Sequence, residues 1–167
     1  MKRTEKRQAA AMLGLAAGVL LATVAVAAQP SLAGTWTLVA ADDLHADGSR
    51  TRGYGEAPKG RLIIDGQGRY SLQIFKAERA RFSASDKRKG VPAEYESAVL
   101  GSSTHYGTIA VDAPAHLLTF RIDGASYPNW EGTEQKRRYE LKGDELSYQV
   151  PPTPDGTIPI SVWKRVR

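Results

Sequence analysis

Eight short segments in which apolar and polar residues alternate follow one another along this chain. Glycine, proline and aspartate separate these segments, as they separate β-strands. The predicted strands are residues 35–40, 61–65, 69–75, 104–112, 117–123, 135–141, 145–150 and 158–166. Eight short strands joined mostly by tight turns favour an antiparallel up-and-down barrel over a sandwich. A barrel of this size has room inside for side chains or for one small ligand.

Three pairs of neighbouring strands are predicted to form hairpins, with turns at 66–68, 113–116 and 142–144. Only one segment has a helical pattern. It begins at Pro92, because proline is tolerated in the first turn of a helix, and ends before Gly101. The sequence therefore predicts an all-β domain with one short helix.

The first 28 residues have the pattern of a secretory signal peptide. A head with four lysine or arginine residues precedes an uncharged run over 9–28, which ends in small residues. An uncleaved membrane anchor is the alternative, since the run is near the length that spans a bilayer. Its alanine content and cleavable end favour the signal peptide. We therefore expect cleavage near Ala27 and Ala28, and a periplasmic or secreted domain at residues 29–167.

Charge and cysteine content exclude several classes of function. The net charge of the chain is +5, of which the predicted signal peptide contributes +3 through four basic residues and one glutamate, leaving about +2. Nucleic-acid binding is therefore not expected, nor is stable membrane insertion after cleavage. The sequence has no cysteine, which excludes disulfides and thiolate chemistry, and its three histidines lack the spacing of metal ligands. We expect no metal and no cofactor; the sequence leaves the oligomeric state open.

Several short motifs follow one another along residues 32–166. They are Gly34-Thr35-Trp36, Tyr54-Gly55, Pro58-Lys59-Gly60, Gly68-Arg69-Tyr70, Tyr106-Gly107-Thr108, Tyr127-Pro128-Asn129-Trp130, Gln135-x-Arg137 and Val162-Trp163-Lys164-Arg165-Val166. In this order they resemble the lipocalin-like domain family of bacteria and fungi, which is related to the calycin barrels. The resemblance implies a barrel with a central cavity, usually without an assigned reaction.

Two polar side chains are predicted on the inner face of the sixth strand. Tyr139 and Leu141 form its apolar pair, and the two-residue period places Gln135 and Arg137 on the same side. Arginine can bind a carboxylate through two parallel hydrogen bonds, and glutamine can bind a hydroxyl or carbonyl group. These residues are therefore candidate polar anchors in an apolar pocket. The alternative is structural: Arg137 lies at the barrel mouth or packs over Trp36.

Other candidate site residues leave similar alternatives open. His105 and Tyr106 are neighbours, so only one faces inward, and the apolar residues that share the histidine's side favour His105. A single inward histidine is more often a hydrogen-bonded core residue than a catalyst. Trp130, in the loop before the sixth strand, either closes on a ligand or packs within a turn.

We predict that the barrel binds a small apolar or amphipathic molecule without chemical change. The residues expected to line or guard the site are Trp36, Tyr70, Leu72, Ile109, Phe120, Trp130, Gln135 and Arg137. One alternative is an isomerase or cyclase that uses His105, Tyr106 or Arg137 as acid, base or anion clamp. Another is a barrel filled by side chains that acts as a structural or interaction module.

Overall fold

The computed structural model describes residues 31–167, and most regular structure in this range is β-strand. The strands are β1 Gly34–Leu44, β2 Arg50–Thr51, β3 Lys59–Ile64, β4 Arg69–Phe75, β5 Ser102–Asp112, β6 Leu117–Ala125, β7 Glu134–Lys142, β8 Glu145–Gln149 and β9 Ile158–Arg165. Helix α1 spans Pro92–Leu100, and single turns of 3-10 helix occur at Lys87–Lys89 and Pro128–Trp130. The predicted signal peptide, residues 1–28, lies outside the described residues.

Eight of the strands close into an antiparallel barrel. Each strand from β3 to β9 pairs with its neighbour in sequence, and β1 pairs with β3 on one side and β9 on the other. The ninth strand, β2, adds only a two-residue pairing at the end of β1. This topology confirms the predicted eight-stranded up-and-down barrel with one short helix. The sequence pattern did not predict β2, because two exposed residues carry no apolar alternation.

The two ends of the barrel differ in the length of their connections. At the closed end the strands are joined by short turns at 65–68, 113–116 and 143–144, which confirms the three predicted hairpins. At the open end the connections are longer, at 45–58, 76–101, 126–133 and 150–157. One of these carries α1, none of whose residues is buried. The long connections therefore all lie at one end of the barrel.

Side chains fill the interior towards the closed end. Six of the described core residues have no exposed surface: Trp36, Leu62, Leu118, Phe120, Leu146 and Trp163. The indole of Trp36 donates a hydrogen bond to the carbonyl oxygen of Leu32 at 3.0 Å. These apolar side chains supply the core that a chain without disulfides needs.

An arginine covers Trp36, but it is Arg165 and not Arg137. The guanidinium carbon of Arg165 lies 4.1 Å from the centre of the Trp36 ring. The same group donates hydrogen bonds to the carbonyl oxygens of Ala33 at 2.6 Å and Ser31 at 2.9 Å. The interpretation that Arg137 packs over Trp36 is therefore wrong, because β1 pairs with the end of β9 and brings Arg165 there instead.

Within residues 31–167, no helix is long and apolar enough to cross a membrane.

Candidate functional site

A cavity of about 460 Å³ lies at the open end of the barrel. Its walls include the apolar residues Ala41, Leu72, Ile74, Val150, Pro159 and Ile160. The polar residues that face it include Asp42, Asp43, His105, Gln135, Arg137 and Tyr148. A cavity of this size and character is typical of a small-molecule site. The barrel is therefore not filled by its own side chains at this end.

Half of the predicted site residues line this cavity and half lie away from it. Those that line it are Leu72, Trp130, Gln135 and Arg137. Those that do not are Trp36, Tyr70, Ile109 and Phe120, all of which are buried in the core. Strand alternation identifies the inward face correctly, but the height of a residue in the barrel depends on strand tilt and stagger, which alternation does not give.

Arg137 is held at the floor of the cavity by aromatic rings and two polar neighbours. It is 4% exposed, and its guanidinium carbon lies 4.1 Å from the ring centre of Phe120 and 5.0 Å from that of Tyr148. Its Nη2 donates a hydrogen bond to Oε1 of Gln135 at 2.7 Å and lies 3.3 Å from Nε2 of His105. These cation–π contacts and the hydrogen bond to Gln135 fix the orientation of the guanidinium group.

No carboxylate neutralises this arginine in the part of the chain that the structure describes. The ion pairs of residues 31–167 all involve other side chains. Asp42 faces the cavity from the end of β1, and its carboxylate lies 3.9 Å from Nη1 of Arg50. Burial lowers the pKa of Arg137, but a guanidinium group in a protein still keeps its charge. The cavity floor therefore carries one buried positive charge.

His105 is neutral and connects Arg137 to a buried tyrosine. Its Nδ1 lies 2.8 Å from the hydroxyl of Tyr70, and its Nε2 faces Nη2 of Arg137. Because a guanidinium group only donates hydrogen bonds, Nε2 is assigned as the acceptor and Nδ1 as the protonated nitrogen. Burial, together with the charge of Arg137, lowers the pKa of His105 to about 3. Its neighbour Tyr106 is 57% exposed on the outside of the barrel.

A cluster beside Arg137 contains more hydrogen-bond donors than acceptors. Within residues 31–167, three buried polar atoms have no partner: Nε of Arg137, the hydroxyl oxygen of Tyr148 and Nε1 of Trp163. Arg137, Trp163 and Ser161 all face the Tyr148 hydroxyl, and burial raises the pKa of Tyr148, so the phenol stays protonated. Arginine and indole nitrogens can only donate. The cluster therefore adds positive ends of N–H and O–H dipoles to the charge of Arg137.

Sequence reasoning missed several residues of the site. Tyr148 shares the inner face of β8 with Leu146, so the two-residue period that identified Arg137 could also have identified Tyr148. Ser161 lies beside the buried Ile160 at a position where β9 departs from strict alternation. Tyr54 comes from the irregular connection after β2, and no periodic signal could have placed it.

Comparison with known proteins finds one family model and several solved structures that are similar to this chain. Residues 33–166 match the model of a family described as the lipocalin-like domain. The crystal structure of a lipocalin-like protein from Bacteroides uniformis is similar at 14% sequence identity and a TM-score of 0.38, covering 81% of this chain and 98% of that one. A mutant of the fluorescent protein UnaG is similar at 17% identity and a TM-score of 0.35, covering 81% and 96%. No curated protein sequence matches the chain.

Proposed function

The chain belongs to the lipocalin-like domain family, and we propose that it binds one small apolar or amphipathic molecule inside its barrel. The observation that supports this proposal is the cavity of about 460 Å³ at the open end, with walls that are mostly apolar. Removal of apolar surface from water contributes roughly 25 cal/mol per Å². A ligand that buries roughly 200 Å² of such surface would gain about 5 kcal/mol without any chemical step.

The arrangement of polar groups favours binding over catalysis. Both nitrogens of His105 face partners, the Tyr70 hydroxyl and the Arg137 guanidinium. With a pKa of about 3, this histidine is a weak base near neutral pH. Tyr106, the other candidate acid or base, lies outside the barrel.

The binding proposal predicts that a substitution inside the cavity blocks an apolar probe, whereas the same substitution outside does not. Ala41 lines the cavity and Ala110 is exposed on β5. We expect Ala41→Phe to weaken binding of the neutral fluorophore N-phenyl-1-naphthylamine about tenfold or more, because the ring occupies the ligand's space. Ala110→Phe should bind the probe as the unchanged protein does. Fluorescence titration measures both, and native mass spectrometry of protein from its own host would show any resident ligand.

Two outcomes would contradict this proposal. One is that the unchanged protein binds no apolar probe and leaves its host without a bound small molecule. The other is that Ala41→Phe folds with an unchanged circular dichroism spectrum and still binds the probe as tightly as Ala110→Phe. In the second case, the probe would be occupying a different surface.

We also propose that residues 1–28 direct export and that the barrel functions in the periplasm or outside the cell. The support is the basic head, the uncharged apolar run and the small residues near Ala27. We expect the mass of the protein from the exported fraction of its host to correspond to a chain that begins near Gln29. An intact chain that begins at Met1 and remains in the membrane fraction would instead indicate an uncleaved anchor.

A further inference from the structure

We infer that the ligand is a monoanionic amphiphile whose oxyanion, such as a carboxylate, lies against Arg137 at the floor of the cavity. This inference rests on the proposed binding function and specifies the chemical class of its ligand. It follows from three observations: the charge at the floor, the surplus of donors beside it, and the position of the carboxylates that face the cavity.

The first observation is a buried positive charge without a negative partner. Arg137 is 4% exposed, and no carboxylate within residues 31–167 forms an ion pair with it. Removing a charge from water is unfavourable unless another charge or a set of hydrogen bonds compensates it. Gln135 and His105 supply only neutral acceptors. An anion that enters the cavity would supply the missing charge.

The second observation is that the groups next to Arg137 supply too few acceptors: the Tyr148 hydroxyl oxygen can accept hydrogen bonds, but Arg137, Trp163 and Ser161 all face it. The unpartnered atoms of Arg137, Tyr148 and Trp163 are donors or a hydroxyl that can donate. Their dipoles raise the electrostatic potential at the floor of the cavity still further. A cationic or donor-rich group would be repelled there, and a neutral hydroxyl would compensate the charge only in part. The floor therefore favours an oxyanion.

The third observation concerns the number of charges on the ligand. Asp42 and Asp43 face the cavity from the end of β1. The pKa of the nearby Tyr54 is raised by burial and by the negative charge of Asp43. A second anionic group at that side of the cavity would lie close to like charges, which is unfavourable. The cavity is therefore suited to one oxyanion at Arg137 and an apolar body against Leu72, Ile74 and Ile160.

A series of ten-carbon ligands that differ only in their polar ends tests this inference. Displacement of N-phenyl-1-naphthylamine would be measured for decanoate, decyl sulfate, 1-decanol, decylamine and decanedioate. We expect decanoate to bind about tenfold or more tightly than 1-decanol, because a hydrogen bond to a charged group is stronger than a neutral one. Decylamine and decanedioate should bind more weakly than decanoate. The ranking of decyl sulfate against decanoate identifies the preferred oxyanion, and either one binding better than 1-decanol supports the inference.

Variants of Arg137 and Arg165, which both pack over aromatic rings, distinguish a role in ligand binding from a structural role. Arg137→Met should reduce decanoate affinity about tenfold or more relative to the affinity of the same variant for the probe, whereas Arg165→Met should leave both affinities unchanged. Arg137→Lys, which keeps the charge, should retain part of the affinity. If the probe binds but neither decanoate nor decyl sulfate binds better than 1-decanol, or if Arg137→Met binds the preferred oxyanion normally, the inference is wrong and the binding function stands. If the unchanged protein binds neither the probe nor any of the five ligands, both fail.

Discussion

Replacement of Arg137 by methionine is expected to raise the free energy of unfolding of the ligand-free protein by roughly 2–3 kcal/mol. The guanidinium group is buried, and no carboxylate of residues 31–167 pairs with it. A buried charge without a partner costs several kcal/mol of desolvation, and an apolar side chain of similar length avoids that cost. Methionine can also pack against Phe120 and Tyr148, because its thioether makes favourable contacts with aromatic rings. Urea unfolding of protein stripped of ligand measures the change.

The contacts that are lost with the arginine stabilise the fold by less than the desolvation of its buried charge destabilises it. Arg137 donates to Gln135 at 2.7 Å and lies 3.3 Å from Nε2 of His105. A hydrogen bond from a charged donor contributes about 1.5–3 kcal/mol. Contacts of the methionine thioether with Phe120 and Tyr148 replace part of the lost cation–π attraction. Gln135 faces the cavity, where water can satisfy its side chain after the substitution. The predicted sign is therefore stabilising.

Arg165→Met is the matched control, and its predicted sign is the opposite. The guanidinium of Arg165 also lies 4.1 Å from an aromatic ring centre, that of Trp36. It differs from Arg137 because it donates to the carbonyl oxygens of Ala33 and Ser31 and lies 3.9 Å from the carboxylate of Asp144. Its loss should reduce the free energy of unfolding by about 1–2 kcal/mol. If Arg137→Met destabilises the protein as Arg165→Met does, Arg137 is a structural residue.

Changes of opposite sign in the free energy of unfolding would indicate that Arg137 serves binding and that Arg165 stabilises the fold. A residue that lowers the stability of the ligand-free protein persists in a fold when binding needs it. Arg165 packs at the closed end, where carbonyl oxygens and the carboxylate of Asp144 compensate its charge. Arg137 is compensated only by neutral groups, and its charge becomes useful when an anion enters the cavity.

The sequence predicted the architecture well, because each strand has one face in the core. Alternation along β4, with Tyr70, Leu72 and Ile74 buried, is a local pattern that survives without knowledge of the neighbouring strands. The hairpin turns are equally local, since glycines such as Gly68 supply the positive φ that a tight turn needs. An open sheet of eight strands would expose two unpaired edges, and the pairing of β1 with β9 removes them by closing the barrel.

The sequence predicted the site only in part, because its geometry depends on the stagger between strands. Trp36 and Leu72 both face inward, yet only Leu72 reaches the cavity. Which arginine covers Trp36 depends on the register of β1 against β9, and a pattern within one strand carries no information about it. Tyr54 enters the cavity from an irregular connection, which has no period to analyse.

The stability of the protein is expected to fall by about 2 kcal/mol between pH 7 and pH 5 because of His105. Its pKa is about 3 in the folded protein, against 6.5 for an unperturbed histidine. In this window, the unfolded chain therefore binds a proton that the folded protein does not. Protonation favours the state that binds more protons, so acid lowers the free energy of unfolding by about 1.4 kcal/mol per pH unit once the unfolded histidine is charged.

The groups that face His105 explain why it resists protonation in the fold. Arg137 on β7 is the charged group next to it, and Tyr70 on β4 presents a hydroxyl whose own pKa burial raises. The rings of Phe120 and Trp130 cover its remaining faces with centroids 5.9 Å and 6.0 Å away. An imidazolium ion would lie beside a guanidinium group among aromatic rings, which burial and charge repulsion both disfavour.

His105→Gln tests the assignment of this pH dependence to one side chain. Glutamine keeps polar atoms near Tyr70 and Arg137 but does not titrate, so its free energy of unfolding should change little between pH 7 and pH 5. Urea unfolding at each pH gives both curves, and their difference isolates His105 because the other histidines are common to both proteins. Exposed carboxylates with lowered pKa values, such as that of Asp65, protonate mainly below this window. Parallel curves for the two proteins would show that His105 binds a proton as readily in the fold as in the unfolded chain, and that the floor of the cavity is less positive than its geometry implies.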